Sequence, residues 1–191
     1  MEGWRIAGAD LSGAVAIRPS GKPVEGVRVV TSLGEAGPPP RLVILGFKPQ
    51  QLDEVGPKLA GWITSRTIVV SLLAGVEAAT LRERYPNAGA IVRALPNLPV
   101  AIRRGVIALY SDYASQEVRD ELSTLFAMLG FAMWTSSEST LASIGSVAGP
   151  GPAYVARFVD ALAKAAVERG LTDELANTIA LETVLGTAWM A

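Results

Sequence analysis

The sequence IGSVAGPGPAY, residues 144–154, decides how the C-terminal part of the chain folds. Its GPGP run, residues 149–152, fits neither a regular helix nor a strand, because proline and glycine interrupt both patterns. From residue 153 to residue 168, apolar side chains fill most positions and polar ones recur at every third or fourth position. This spacing predicts a helix with one narrow polar stripe, formed by Arg157, Asp160, Lys164 and Glu168.

The start of this helix is a candidate binding site. Pro152 would lie in the first turn, where a helix tolerates proline. The amides of Gly151, Ala153 and Tyr154 are then predicted to lack intrahelical partners and to point outward at the positive end of the helix dipole. Two interpretations stay open: a site for a carboxylate or phosphate, or a rigid turn that only begins a buried helix.

The composition excludes several classes of function. The 191 residues carry a net charge of −1, which provides no basic surface for nucleic acid. The chain has no cysteine and no histidine, so thiol catalysis, serine–histidine catalysis and nearly all zinc sites are excluded, and we expect no metal. A bound organic cofactor is then the expected source of chemistry. We also expect no membrane span, no signal peptide and a cytoplasmic location.

Upstream of residue 135, short apolar runs alternate with segments of helical spacing. This alternation predicts an α/β fold, a Rossmann-like doubly wound parallel sheet. Residues 42–47 and 67–73 are apolar on both faces, as expected of central strands. The other predicted strands are residues 14–18, 27–30, 90–95, 105–109 and 131–134, and the predicted helices are residues 1–7, 50–63, 76–84 and 115–129.

After Thr135 the strands stop, and two long helices separated by Gly170 are expected. We therefore predict a sheet domain over residues 1–135 and an all-α region over residues 136–191. Most sides of the two helices are apolar, which predicts that they associate with another copy of the chain.

Ligands of open α/β sheets collect at the carboxyl ends of the strands. The residues at the ends of three predicted strands are Gly46, Phe47, Lys48 and Pro49, then Leu72, Leu73 and Ala74, and then Asn97. Each could be an ordinary turn, but three aligned ends suit a flat cofactor lying along the sheet edge.

A basic cluster follows the strand at residues 14–18. Arg18, Ser20 and Lys22 occupy the place where NAD-preferring domains usually carry an acidic residue. A positive charge there favours a 2′-phosphate and therefore NADPH, although a solvated basic turn is an equal alternative. The chain contains no G-x-G-x-x-G sequence.

Four blocks, LVILGFKPQ, VVSLLAGV, IVRALPNLPVAIRRG and AGPGPAY, resemble pyrroline-5-carboxylate reductases in order over nearly the whole chain. The resemblance implies NADPH-dependent reduction of a cyclic imino acid to proline, with NADH as a second cofactor, and interlocked dimers that assemble further. It implies that the first two strand ends line the cofactor, and that Arg18 lies near the 2′-phosphate. It places the substrate at Glu138, and we expect the helix start, with Gly149, Gly151, Ala153 and Tyr154, to hold the substrate carboxylate. Without the resemblance, Glu138 would be assigned as a solvated loop acid.

The chain also departs from the family pattern. Ala148 and Pro150 replace two serines, and Glu182 replaces a glutamine. Relative to the family, the first strand with its Gly-rich loop and a C-terminal segment are missing, so these 191 residues are expected to bind NADPH weakly and to show little activity. Two alternatives stay open: another imine reductase or hydroxyacid-type dehydrogenase, and a non-catalytic dimerising remnant.

Overall fold

A computed structural model describes residues 1–190 of the chain. Its residues group into two compact units, Met1–Gly145 and Ser146–Ala191. The first unit contains all the strands, and the second contains the long C-terminal helices.

The chain begins with helix α1 (Glu2–Ile6) and two short parallel strands, β1 (Val15–Ile17) and β2 (Arg28–Val30). Gly8, with φ +75°, follows α1 as predicted. The two strands pair with each other and not with the larger sheet, a separation that the sequence pattern did not reveal.

The main sheet has five strands in sequence order. They are β3 (Leu42–Leu45), β4 (Ile68–Ser71), β5 (Ala90–Pro96), β6 (Gly105–Tyr110) and β7 (Gly130–Trp134). Every neighbouring pair is parallel except β5 and β6.

The antiparallel pairing of β5 with β6 is the exception within the predicted doubly wound parallel sheet. Its cause is the connection between the two strands, which consists of Asn97, the 3-10 helix Leu98–Ile102 and two arginines. A parallel pair needs a crossover of about a dozen residues or more, so this short loop can only return the chain in the opposite direction.

Helices cover both faces of the main sheet, as predicted for a doubly wound fold. They are α2 (Leu52–Ala60), α3 (Ala78–Arg84) and α4 (Gln116–Ala127). The side chains of Val69 and Ile91 join the core under α2 and α3. Those of Val70 and Val92 join the opposite core under α1 and α4. This alternation follows from the two-residue period of a strand.

Three helices, not two, follow the last strand. They are α5 (Glu138–Ala148), α6 (Gly151–Glu168) and α7 (Asp173–Met190). The sequence analysis missed α5. Leu141 of α5 is fully buried, and a Cβ on Gly145 would come within 2.9 Å of the Leu95 side chain. Most of α5 therefore belongs to the sheet unit, which ends about ten residues after the predicted boundary of 135.

Helices α6 and α7 form a helical hairpin that turns at Gly170, with φ +91°. Its own core is small and consists mainly of Ala163, Ala176 and Ala180. The predicted polar stripe is present, since Asp160 accepts hydrogen bonds from Arg157 and Lys164. The large apolar side chains left exposed are Tyr154, Val155, Phe158, Val167, Leu175, Ile179, Leu181, Leu185, Trp189 and Met190.

Candidate functional site

The structure places three of the predicted strand ends on one edge. Strands β3, β4 and β5 are adjacent and parallel, so their carboxyl ends lie side by side. The segments that begin at Gly46, Leu72 and Asn97 follow these ends. This arrangement is the one in which open α/β sheets bind ligands.

At the end of β3 the backbone is open. A Cβ built on Gly46 meets no atom within 4 Å, so no packing contact requires glycine there. Phe47 is half-buried against the core under α2, and Lys48 is exposed. The Lys48 amide donates to Gln51 Oε1 at 3.1 Å, and Pro49 begins a 3-10 helix. The segment is a fixed turn with an accessible backbone.

At the end of β4, fewer residues are available to contact a ligand than the sequence predicted. Leu73 is 1% exposed, its amide donates to Ser71 Oγ, and its carbonyl accepts from the Val76 amide. Its side chain is therefore a core residue and its backbone polar groups are engaged. The half-buried Leu72 and the exposed Ala74 are the residues of this segment that a ligand could contact.

Asn97 fixes the turn after β5. Its amide donates to the Val106 carbonyl at 3.1 Å, and its Oδ1 accepts from the Val106 amide at 2.8 Å. The side-chain oxygen thus holds β6 against β5. The sequence analysis assigned Asn97 to the cofactor and missed this structural role.

The three basic-cluster residues form one turn directly after β1. Arg18 Nη1 donates to the carbonyl of Lys22 at 3.2 Å, and the Lys22 amide donates to Ser20 Oγ at 3.4 Å. These bonds hold the turn closed, with the Ser20 and Lys22 side chains exposed and Arg18 half-buried.

Glu138 is the first residue of α5 and not a solvated loop acid. Its Oε1 accepts from Arg93 Nη1 at 2.6 Å and from the Ala78 amide at 2.9 Å. Its side chain is 28% exposed, whereas that of Arg93 is 9% exposed. The carboxylate therefore connects β5, α3 and α5 and still reaches the surface.

The sequence analysis gave Arg93 no role. The available signal was a single charged residue within an otherwise apolar predicted strand, because an arginine is rarely buried unless it is paired. Its neighbour in the β5–β6 ladder is Tyr110. The Tyr110 hydroxyl donates to Asp112 Oδ1, and this bond, more than burial, raises the pKa of Tyr110 to about 12.

The helix start at residues 149–154 differs from the prediction. Helix α6 begins at Gly151, but the amides of Ala153 and Tyr154 both donate to the Pro150 carbonyl, at 2.9 and 3.2 Å. Pro150 has helical dihedral angles, which turn its carbonyl toward these amides. Of the three amides, only that of Gly151 lacks an acceptor within the described chain.

Within residues 1–190 there is neither a metal-binding cluster nor a membrane-spanning helix. No cluster of three or more carboxylate side chains has the arrangement needed to hold a metal ion. No helix there combines the length and apolarity needed to cross a membrane.

The chain is similar to known proteins over most of its length. Residues 138–191 match the family described as pyrroline-5-carboxylate reductase dimerisation. The chain is 32% identical to the pyrroline-5-carboxylate reductase of Pseudomonas aeruginosa over 166 residues, which are 86% of this chain and 61% of that protein. It is 36% identical to the enzyme of that name from Synechocystis over 165 residues, 85% of this chain and 60% of that protein.

Solved structures show the same fold. A Coxiella burnetii pyrroline-5-carboxylate reductase matches with a TM-score of 0.77 at 31% identity, over 87% of this chain and 62% of that one. A Plasmodium falciparum pyrroline carboxylate reductase, solved with NADP bound, matches with a TM-score of 0.88 at 22% identity, over 99% and 72%. The chain spans about three-fifths of the length of the curated relatives it matches.

Proposed function

We propose that this chain belongs to the pyrroline-5-carboxylate reductase family, which it resembles over most of its length, and that it acts in the NADPH-dependent reduction of 1-pyrroline-5-carboxylate to L-proline. The observation that carries the proposal is the common edge formed by the ends of β3, β4 and β5. Its open backbone at Gly46 fits the close approach of a dinucleotide.

In this proposal the residues of the sheet edge hold the cofactor. The backbone at Gly46, Lys48 and Ala74 contacts the dinucleotide, while Phe47, Pro49, Leu73 and Asn97 shape the turns around it. Arg18, Ser20 and Lys22 favour a 2′-phosphate, because two cations and a hydroxyl can form charge-assisted hydrogen bonds with it. NADPH is therefore preferred over NADH.

The substrate requires electrostatic placement more than acid–base catalysis. NADPH, when bound, supplies the hydride that the imine carbon accepts. A protonated imine takes this hydride without a strong acid from the protein, so a chain without histidine or cysteine can support the reaction. Glu138 is proposed to accept the imine N–H.

The substrate carboxylate is assigned to the start of α6. The Gly151 amide is its proposed donor, with Gly149, Ala153 and Tyr154 forming the surrounding backbone and surface. Ala148 and Pro150 occupy positions where the family pattern has serines, so this chain supplies no hydroxyl there. We therefore expect weak binding of the substrate carboxylate and a high KM for the imine.

We further propose that residues 136–191 form the dimerisation region and that the chain assembles as a homodimer through the apolar surface of the α6–α7 hairpin. The family description of residues 138–191 and the exposed apolar side chains support this proposal. The cytoplasmic location stays a prediction from the sequence.

Oxidation of NADPH provides the test. The purified chain is assayed at high protein concentration with 1-pyrroline-5-carboxylate and, in parallel, with 2-keto acids, so that the ratio of the two rates is measured even if both are low. The proposal expects turnover of the imine well above that of any keto acid. Turnover of keto acids alone would favour a hydroxyacid-type dehydrogenase. No turnover, combined with concentration-dependent association, would identify a non-catalytic dimerising protein.

A further inference from the structure

Arg93 lies in a buried position, where a charged side chain is energetically unfavourable. Among residues 1–190 it is the only buried charged residue, with 7% of its surface exposed. Removing a charge from water carries a large penalty that an ion pair barely offsets, and apolar replacements of buried pairs are often as stable. A contribution to the stability of the sheet therefore does not by itself explain why Arg93 is paired with Glu138 here.

The contacts of Arg93 define the orientation of one carboxylate. Its Nη1 donates to Glu138 Oε1 at 2.6 Å, and the Ala78 amide donates to the same oxygen at 2.9 Å. Glu138 is thus held by β5 and by the first residue of α3. Within the described chain Oε2 accepts no hydrogen bond, and the side chain is 28% exposed. Oε1 is therefore fixed in the interior, whereas Oε2 stays available to accept a hydrogen bond from a ligand.

We propose that Arg93 is a positioning residue that orients Glu138 so that Oε2 can accept the N–H of a protonated cyclic imine. This inference rests on the proposed function. Arg93 itself does not contact the substrate. Because it lies behind Glu138, its removal changes the binding of the imine while the ends of β3 and β4, where the cofactor is proposed to bind, stay intact.

The test compares Arg93→Gln with a matched control, Arg41→Gln. Arg41 also joins two elements through an ion pair, to Glu121 at 2.6 Å, but it precedes β3 at the opposite edge of the sheet. Kinetic constants for the imine, the NADPH dissociation constant and the melting temperature are measured for each full-length variant. Arg93→Lys is included because lysine keeps the positive charge but lacks the planar guanidinium group with its several N–H donors.

We expect Arg93→Gln to raise the KM for the imine about tenfold, which corresponds to about 1.4 kcal/mol. Its NADPH dissociation constant and kcat should stay within about twofold, a change of less than about 0.5 kcal/mol. Arg41→Gln should change none of these, and Arg93→Lys should lie between wild type and Arg93→Gln. Adding Arg93→Gln to Glu138→Gln should raise KM little further, because Arg93 acts on the imine only through Glu138.

A merely structural role gives a different result. Arg93→Gln would then lower the melting temperature and weaken imine and NADPH binding alike, which would overturn the inference. If Arg93→Gln does not fold, Arg93→Lys decides: a folded variant with raised KM supports the inference, and an unchanged KM overturns it.

Failure of the proposed function can be separated from failure of this inference. If the wild-type chain does not reduce the imine, the proposed function fails, and the dissociation constant of L-proline replaces KM as the readout. Weaker proline binding in Arg93→Gln then supports the positioning role, whereas unchanged binding overturns it. A wild-type chain that neither reduces the imine nor binds proline overturns both proposals.

Discussion

Phe126 and Phe158 lie on helices in the two units of the molecule and have opposite environments. Phe126 of α4 is 1% exposed and its ring meets that of Trp4 edge-on, with centroids 5.6 Å apart. Phe158 of α6 is 58% exposed. The sheet unit therefore buries Phe126 within one chain, whereas the hairpin, whose own core consists mainly of alanines, leaves Phe158 exposed. The same residue type stabilises folding in one unit and is available for association in the other.

Replacing Phe126 should have the largest effect on folding. We expect Phe126→Ala to lower the free energy of unfolding by about 3–5 kcal/mol, because a buried ring is lost and a cavity remains. Urea unfolding at low protein concentration measures this change. Phe158→Ala is the matched control and should have a small effect under the same conditions. Equal losses in the two variants would contradict the difference between the units.

Cofactor preference should depend on the sheet unit alone. Arg18→Asp is expected to invert the preference for NADPH over NADH, since each charge-assisted hydrogen bond contributes about 1.5–3 kcal/mol, or roughly ten- to hundredfold in affinity. Calorimetric titration with each dinucleotide measures the ratio. The control, Arg157→Asp on the hairpin, should leave the ratio unchanged. An unaltered ratio in Arg18→Asp would refute the assignment of the basic turn.

Titration of Tyr110 provides a spectroscopic test of the sheet unit. Its pKa is raised to about 12, first by the hydrogen bond to Asp112, so the neutral phenol is favoured in the folded state. The corresponding stability is fully present below the ordinary pKa of 10.0 and is lost as pH rises through 12. Tyrosinate absorbance should show that Tyr110→Phe removes a group that ionises near the higher value. Loss of a group that ionises near 10 would contradict the contact.

The smallest effect is expected on the polar stripe of the hairpin. The hydrogen bond from Lys164 lowers the pKa of Asp160 below its ordinary value of 3.8. A lowered pKa contributes stability above that ordinary value, and this stability is lost as pH falls through the folded-state pKa. The difference in melting temperature between wild type and Asp160→Asn should therefore be small near neutral pH and vanish as the pH falls well below 3.8. A difference that grew with acidity would be inconsistent with this contact.

The sequence predicted the features that depend on local pattern. The apolar runs at residues 42–47 and 67–73 gave β3 and β4, and most helices followed from 3.6-residue periodicity. Helix α5 was missed because its sequence, ESTLASIGSVA, contains three serines, a threonine and a glycine, all of which have lower helix propensity than alanine. Its helical form depends on tertiary contacts such as the buried Leu141.

The candidate site was harder to predict from the sequence, because its main contacts join residues that are far apart along the chain. Arg93 and Glu138 are 45 residues apart in sequence, and no periodic pattern relates them. The engagement of Leu73 and of the Ala153 amide depends on backbone geometry that composition does not specify. Resemblance to a family identified Glu138, but the structure was needed to find the residue that holds it.

The oligomeric state of the chain tests most directly whether the α6–α7 hairpin is an interface. Sedimentation equilibrium at tens of micromolar, with Phe158→Asp as the variant, measures it. We predict a wild-type mass of twice the 20.0 kDa chain, or a multiple of that dimer, and a monomeric Phe158→Asp variant. A monodisperse 20.0 kDa wild-type species would contradict the claim that the hairpin is an interface.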